Sequence, residues 1–319
     1  MKKILPTIIK TGSVLAGLLI IWVVINLFNY SYVISPEDQP HQDEFNLKYS
    51  VFSLNIPEKV DFAGEEMPIQ YFDVMESLDR ELLVNTYWQS QTLMFFKRAN
   101  KYFPIIEPIL EKNNIPADFK YLALAESGLM NVVSPAGASG FWQFMKATGL
   151  EYGLEINNEV DERYNLILAT EAACKLLNDA YKKYESWSLV AASYNMGMGG
   201  LDKQLKQQKV NDYYDLHLNS ETARYVYRIV AIKLIMDNPK LFSFHFREKD
   251  LYQMPITEEI VVDSTITDWA DFALEHNTNY KILRELNPWI RGLSLTNKNK
   301  KQYSVTIPKK GYRDLRKND

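Results

Sequence analysis

The chain has 319 residues, which is long enough for one sizeable core and a small accessory domain. It is mildly acidic, with a formal net charge of −4 at pH 7, and carries no basic stripe interleaved with aromatic residues. This pattern argues against nucleic acid as a partner. The single cysteine, Cys174, excludes an internal disulfide. The scattered histidines have no metal-ligand spacing, so we expect neither a metal nor a cofactor.

The N-terminal part, residues 1–30, is predicted to hold a membrane anchor. Lys2, Lys3 and Lys10 precede the apolar run Thr11–Tyr30, and acidic residues follow it. A helix of about twenty residues rises about 30 Å, enough to cross the hydrocarbon core. Lysines before the run favour a cytoplasmic N-terminus. A cleaved signal peptide is the alternative, although the residues after the run offer a poor small-x-small cleavage site.

Residues 31–70 are predicted to be a linker, because most of the segment carries Pro, Asp, Gln and Glu without a sustained hydrophobic period. Helical periodicity begins at about Phe72. A long apolar stripe then runs through 95–110. Pro104 and Pro108 predict that this stripe is broken into two helices.

Residues 71–245 are predicted to form a mostly helical domain. Apolar residues recur at helical spacing over 165–184, and again from Glu221 onward. Strand-like alternation is scarce before residue 255.

Glu126 is the most informative residue, because it is an acid on the apolar face of a predicted helix. Phe119, Leu122 and Ala123 share that face with it at helical spacing. A carboxyl group held against apolar neighbours loses hydration, so its pKa rises. Such a group can act as a general acid near neutral pH. A structural Glu paired with an Arg fits the position alone equally well.

Three motifs follow the Glu126-Ser127 pair. They are a Gly-Ala-Ser-Gly-Phe-Trp-Gln run at 137–143, Tyr-Asn-Met-Gly at 194–197, and Glu-Thr-x-x-Tyr-Val at 221–226. In this order the fragments resemble the lytic transglycosylases of glycoside hydrolase family 23, and more narrowly their membrane-bound D type. The resemblance covers roughly residues 75–245 and implies a lysozyme-like helical fold.

The resemblance implies a mechanism with one carboxyl group. Glu126 would protonate the glycosidic oxygen of the MurNAc-β-1,4-GlcNAc bond, and the sugar's acetamido group would stabilise the oxocarbenium-like centre. The same carboxylate would then deprotonate the 6-hydroxyl, which closes a 1,6-anhydro-muramic end. The residues implied to hold the sugar or stabilise the transition state are Ser134, Gln143, Tyr194, Asn195 and Tyr225.

The residues alone leave simpler explanations open. The turn at 137–140 could merely reverse the chain, Asn195 could end a helix, and Tyr225 could be a core residue. Trp142 is predicted to be a core anchor. The triplet 161–163, Asp-Glu-Arg, is predicted to be a solvated helix entry, although an acid there could supply a second catalytic carboxylate.

Residues 255–310 are predicted to form a small α/β module. A strand near 259–262, two helices and a closing strand at 303–308 follow one another, with Leu-x-x-Leu-Asn-Pro at 283–288. This order resembles a LysM module, which implies binding of N-acetylglucosamine-containing glycans. The usual Gly-Asp-Thr opening is replaced by Asp-Ser-Thr at 263–265. We expect the module to fold on its own.

The predicted fold is therefore mainly α: one transmembrane helix, a lysozyme-like catalytic domain and a small LysM-like domain. The predicted function is a peptidoglycan lytic transglycosylase, single-pass in the inner membrane and facing the periplasm, with glycan strands as its partner. A hydrolytic muramidase of the same fold and a catalytically idle peptidoglycan-binding scaffold are the alternatives. The intact set of Glu126, Gln143, Tyr194 and Asn195 argues against the idle scaffold.

Overall fold

The structure is a computed structural model that describes residues 17–25, 38–48 and 50–311. It divides the chain into two compact units, Met1–Ser53 and Leu54–Asp319.

In the first unit, residues 17–25 are helical with exposed apolar side chains, and helix α1 spans Gln39–Lys48. The rest of the predicted anchor Thr11–Tyr30 lies outside the described residues. Within the ranges that the structure describes, no helix combines the length and the apolar character that crossing a membrane requires.

The second unit is mainly helical, which confirms the predicted class. Its helices are α2 (Phe72–Tyr87), α3 (Gln89–Lys112), α4 (Phe119–Ser127), α5 (Lys146–Glu151), α6 (Leu166–Tyr184), α7 (Trp187–Met196), α8 (Met198–Gln208), α9 (Thr222–Asp237), α10 (Trp269–Glu275) and α11 (Tyr280–Leu286). Short 3₁₀ turns span Glu162–Tyr164, Tyr213–Asp215, Pro239–Phe242 and Glu248–Asp250. Two antiparallel strand pairs complete it: β1 (Asp61–Phe62) with β2 (Glu65–Glu66), and β3 (Thr257–Val262) with β4 (Tyr303–Pro308).

Helices α2 to α9 surround one hydrophobic core. Helix α9 packs against α2, α4 and α7, and its residues Val226, Ile229 and Val230 are fully buried. Helix α4 contributes Leu122 and Leu124, which are also fully buried. The packing of α9 on α4 brings the Glu-Thr-x-x-Tyr-Val motif at 221–226 to face the Glu126-Ser127 pair.

Helix α3 is continuous, so the predicted break at Pro104 and Pro108 is wrong. The two prolines lie one turn apart and are both exposed, whereas Ile106 and Leu110 are buried on the opposite side. A proline leaves the carbonyl four residues earlier without its N–H partner. Those carbonyls lie on the exposed face, where water can hydrogen-bond to them.

The predicted linker at 31–70 is wrong for its second half. Val60, Phe62 and Met67 are buried in the helical core, and the Phe62 ring packs 5.4 Å from the ring of Phe119. The hairpin β1–β2 has only two residues in each strand, too few to show a period of two in the sequence.

The C-terminal module, residues 257–308, has the predicted order of strand, two helices and strand. Trp269, Leu283 and Val305 are fully buried in its core. The same cluster contains Val160 and Tyr164, which belong to the helical domain. The expectation that the module folds on its own is therefore not supported, because two of its core side chains come from outside it.

Candidate active site

Glu126 lies in the last turn of α4, as the hydrophobic stripe predicts. The apolar members of that stripe are fully buried, while Glu126 is half-buried. The helix ends at Gly128, whose φ of 61° is left-handed and whose N–H donates to the Leu124 carbonyl over 2.8 Å. Arg98 in turn donates to the Gly128 carbonyl over 3.0 Å. The segment that carries Glu126 is thus held from both sides.

Tyr225 of α9 faces Glu126 and donates its hydroxyl hydrogen to the carboxyl Oε1. Burial raises the pKa of Glu126 to about 7, and the negative charge of Glu221 acts in the same direction. The hydrogen bond from Tyr225 and the positive charge of Arg228 lower this pKa and so moderate the shift. The carboxyl group is accordingly available in both protonation states near neutral pH, as a general acid that later serves as a base must be.

Tyr194 lies beside this pair and is fixed by its own hydroxyl, which donates to the Trp142 carbonyl over 2.6 Å. Burial, and next the negative charge of Glu126, raise the pKa of both Tyr194 and Tyr225 well above its ordinary value. Both phenols therefore stay protonated and act as neutral donors. The Trp142 side chain is fully buried and donates to Thr170 Oγ1 over 2.9 Å, consistent with a core anchor.

Ser134 and Gln143 stabilise the glycine-rich turn between α4 and α5. The Ser134 hydroxyl accepts the N–H of Ala138 over 3.0 Å. The Gln143 amide donates to the carbonyls of Val132 and Gly140 over 3.1 and 2.7 Å. Among the described residues, neither side chain is hydrogen-bonded to the candidate acid. The structure thus places these two residues in the turn rather than on the carboxyl group.

Asn195 lies near the end of α7 and is oriented from α9. Thr222, at the first turn of α9, donates its hydroxyl to Asn195 Oδ1 over 2.7 Å. Within the described chain, the amide nitrogen of this half-buried side chain has no hydrogen-bond partner. It remains available to a ligand.

The predicted solvated helix entry at 161–163 is wrong, because Asp161, Glu162 and Arg163 are all buried. Arg163 forms a bidentate salt bridge with Asp161: its Nε and Nη2 donate to the two carboxylate oxygens over 3.0 and 2.7 Å. Glu162 accepts a hydrogen bond from Lys301 of the C-terminal module over 2.7 Å and another from the backbone of Glu155 over 2.7 Å. Both carboxylates are occupied by ion pairs, which argues against either as a second catalytic acid.

Arg163 supports the glycine-rich turn, a role that the sequence did not reveal. Its guanidinium donates to the carbonyls of Gly137 and Phe144 over 3.2 and 3.1 Å. A Cβ added at Gly140, where φ is 80°, would lie 1.9 Å from the Arg163 carbonyl oxygen. Only glycine fits at that position.

Arg228 and Glu221 are two further neighbours of the acid that the sequence analysis did not select. Arg228 lies three residues after Tyr225 on α9, and Glu221, which directly precedes α9, lies four residues before Tyr225, so the three residues share one side. That spacing is a signal that could have identified them.

Comparisons with known proteins identify two domains in the chain. Residues 103–216 match the transglycosylase SLT domain family, and residues 258–311 match the soluble lytic transglycosylase C-terminal LysM-like domain. The chain is 28% identical over 269 residues to the membrane-bound lytic murein transglycosylase D of Escherichia coli strain K12, and equally so to the protein of that name from an Escherichia coli O6:H1 strain. Each alignment covers 80% of this chain and 56% of the relative.

The chain thus spans little more than half the length of the curated relatives that it matches. The two family matches fall on the two domains that the sequence predicts: the helical domain that contains Glu126, and the C-terminal module. The chain is homologous to these transglycosylases, and it carries a transglycosylase SLT domain followed by a LysM-like domain of the lytic transglycosylase type.

Proposed function

We propose that the protein is a peptidoglycan lytic transglycosylase in which Glu126 is the single general acid and base. The observation that carries the proposal is the half-buried carboxyl group, whose pKa burial raises to about 7 and whose hydrogen-bond partner is a neutral phenol. The SLT domain and the homology to murein transglycosylases support the reaction class.

In the first step, protonated Glu126 transfers its proton to the glycosidic oxygen between muramic acid and glucosamine. The bond from the anomeric carbon to that oxygen breaks, and the leaving sugar departs with a free hydroxyl. The acetamido group of the substrate stabilises the positive charge at the anomeric carbon. Tyr225 and the positive charge of Arg228 stabilise the carboxylate that the transfer leaves behind.

In the second step, the Glu126 carboxylate takes the proton of the muramic 6-hydroxyl. The oxygen then bonds to the anomeric carbon and closes the 1,6-anhydro ring. Glu126 ends protonated and ready for another cycle, and no water is consumed.

The remaining site residues would position the sugar. The amide nitrogen of Asn195 supplies a hydrogen-bond donor for the sugar, and Tyr194 lines the site next to Glu126. Ser134 and Gln143 act through the turn whose backbone they hold. Retention of all these residues speaks against a catalytically idle scaffold.

A hydrolytic muramidase is the second candidate, since Glu221 offers an exposed carboxylate close enough for its charge to raise the pKa of Glu126. A second carboxylate of this kind could activate a water molecule. Digestion of purified peptidoglycan followed by mass spectrometry separates the two. Anhydro-muramic ends are lighter than reducing ends by one water, so products carrying only reducing ends would overturn the transglycosylase.

The membrane anchor at Thr11–Tyr30 and the periplasmic position of the folded part remain proposals. They are supported by the apolar run, by the lysines before it, and by the membrane-bound relative. Protease added to spheroplasts should digest the folded part. Its protection would contradict the topology.

A further inference from the structure

A cavity of about 380 Å³ lies where the C-terminal module meets the helical domain, apart from the Glu126 carboxyl group. Its lining residues are Asn131, Tyr164, Tyr280, Lys281, Arg284, Glu285, Pro288 and Arg291. Asn131 belongs to the loop that directly follows the segment carrying Glu126. One lining residue of the cavity is therefore close to Glu126 in sequence.

The charges of this cavity are mostly positive. Lys281 and Glu285 form a pair at 3.6 Å and largely offset each other. The guanidinium groups of Arg284 and Arg291 are left without a carboxylate partner among the residues that the structure describes.

Arg284 has an unmet hydrogen-bonding group inside the protein. Its Nη1 donates to the Tyr280 hydroxyl over 2.6 Å, while its Nε is buried without any partner. A buried hydrogen-bond donor without an acceptor lowers the stability of the folded protein. An acceptor supplied by a ligand would satisfy it.

Both aromatic rings of the cavity are already covered. The Arg284 guanidinium lies 5.5 Å from the centre of the Tyr280 ring, and that of Arg291 lies 4.4 Å from the centre of the Tyr164 ring. A neutral sugar would have to displace these cations to stack on either ring. Planar guanidinium groups instead match carboxylates, which they bind through two parallel hydrogen bonds.

We propose that this cavity binds the carboxylate groups of the peptide stems that branch from the muramic acid residues of the substrate. The proposal rests on the proposed function for its ligand, because peptidoglycan places acidic peptides beside each bond to be cleaved. The cavity gives the enzyme a means of favouring peptide-bearing strands over denuded ones.

The test is binding, measured by calorimetry in the full chain carrying Glu126→Gln, so that nothing is cleaved. The probes are a glycan fragment with its peptide stems and the same fragment without them. Arg291→Gln should weaken binding of the peptide-bearing fragment roughly tenfold and leave the peptide-free fragment unchanged. Lys298→Gln, which removes an exposed positive charge outside the cavity, should change neither.

Arg291→Lys keeps the charge but loses the two-pronged geometry, so it should weaken binding of the peptide-bearing fragment by a smaller factor. Because Arg291 is exposed, both variants are expected to fold. An equal effect on both fragments, or no effect on either, would overturn the proposal. So would inorganic phosphate competing as strongly as the free peptide stem.

These outcomes are independent of the product analysis. Hydrolytic products would refute the transglycosylase while leaving the cavity's preference for peptide-bearing glycan intact. Anhydro products together with equal binding of the two fragments would support the transglycosylase and refute the cavity's preference for peptide-bearing glycan.

Discussion

Two partly buried carboxylates of the molecule, Glu126 and Glu155, respond to burial in opposite ways. At Glu126 burial raises the pKa to about 7, and the group in direct contact is the neutral hydroxyl of Tyr225. At the contact with the C-terminal module burial would also raise the pKa of Glu155, but hydrogen bonds from Lys301 and Tyr303 and the charge of Lys301 outweigh it and lower that pKa. Of these two carboxylates, the one that contacts a neutral hydroxyl keeps the pKa raised by burial, and the one that contacts a cation does not.

The largest expected effect comes from removing the acid. Glu126→Gln keeps the shape of the side chain but has no transferable proton, so cleavage should fall by at least about 10²–10⁴-fold. Release of soluble fragments from peptidoglycan measures this. Binding of the glycan should stay nearly intact, which separates loss of chemistry from loss of folding.

At the contact with the C-terminal module the expected effect is on stability. Asp161→Asn leaves Arg163 buried without its counter-charge, which should lower the free energy of unfolding by about 3–5 kcal/mol. Urea denaturation followed by circular dichroism measures this change.

The matched control is Asp179→Asn, which removes one partner of the exposed pair with Lys182 and should change stability little. If Asp161→Asn abolished cleavage with unchanged stability, the one-carboxylate scheme would give way to a two-carboxylate hydrolase.

Tyr225→Phe tests how the hydrogen bond from Tyr225 affects the pKa of Glu126 and the rate of cleavage. The hydrogen bond from Tyr225 stabilises the charged carboxylate and lowers its pKa, so its loss should raise the pKa of Glu126 further above its ordinary value. The rate should drop about ten- to a hundredfold. The alkaline limb of kcat/KM, which we expect near pH 7 in the parent because the pKa of Glu126 is raised to about 7, should move to higher pH.

Tyr227→Phe on the same helix is the control, because it removes a buried hydroxyl that does not contact Glu126. An alkaline limb that stayed in place in Tyr225→Phe would show that the hydrogen bond does not govern this titration.

The smallest expected effect is that of Glu221→Gln. The negative charge of Glu221 raises the pKa of Glu126, so its removal should move the alkaline limb to slightly lower pH. Because Glu221 is exposed, added salt should shrink the difference. A loss of activity as deep as that of Glu126→Gln would instead identify Glu221 as a catalytic base.

Features that depend on local periodicity could be predicted from the sequence. Glu126 is recognisable because the rest of its helical stripe is apolar, and α6 and α9 are predictable because their apolar residues recur at helical spacing. The site residues were selected by resemblance, and the contact of Tyr225 with Glu126 depends on packing between two helices that are distant in the chain.

Features that depend on distant packing could not be predicted. Glu162 is buried and pairs with Lys301, which lies far along the chain in another module. The orientation of Gln143 follows from its left-handed backbone, with φ of 50°, and from two carbonyls of the turn. Neither the conformation nor the partners leave a periodic trace in the sequence.

The shared core of Val160 and Tyr164 has a consequence for protein engineering. A terminal module can be exchanged as a cassette only when its hydrophobic core is complete in itself. Here an exchanged module would leave two apolar side chains without their packing partners, and would also remove the backbone hydrogen bond from Asp161 to Trp289. A functional chimera should therefore carry the segment 155–164 together with the module, as one transplantable piece.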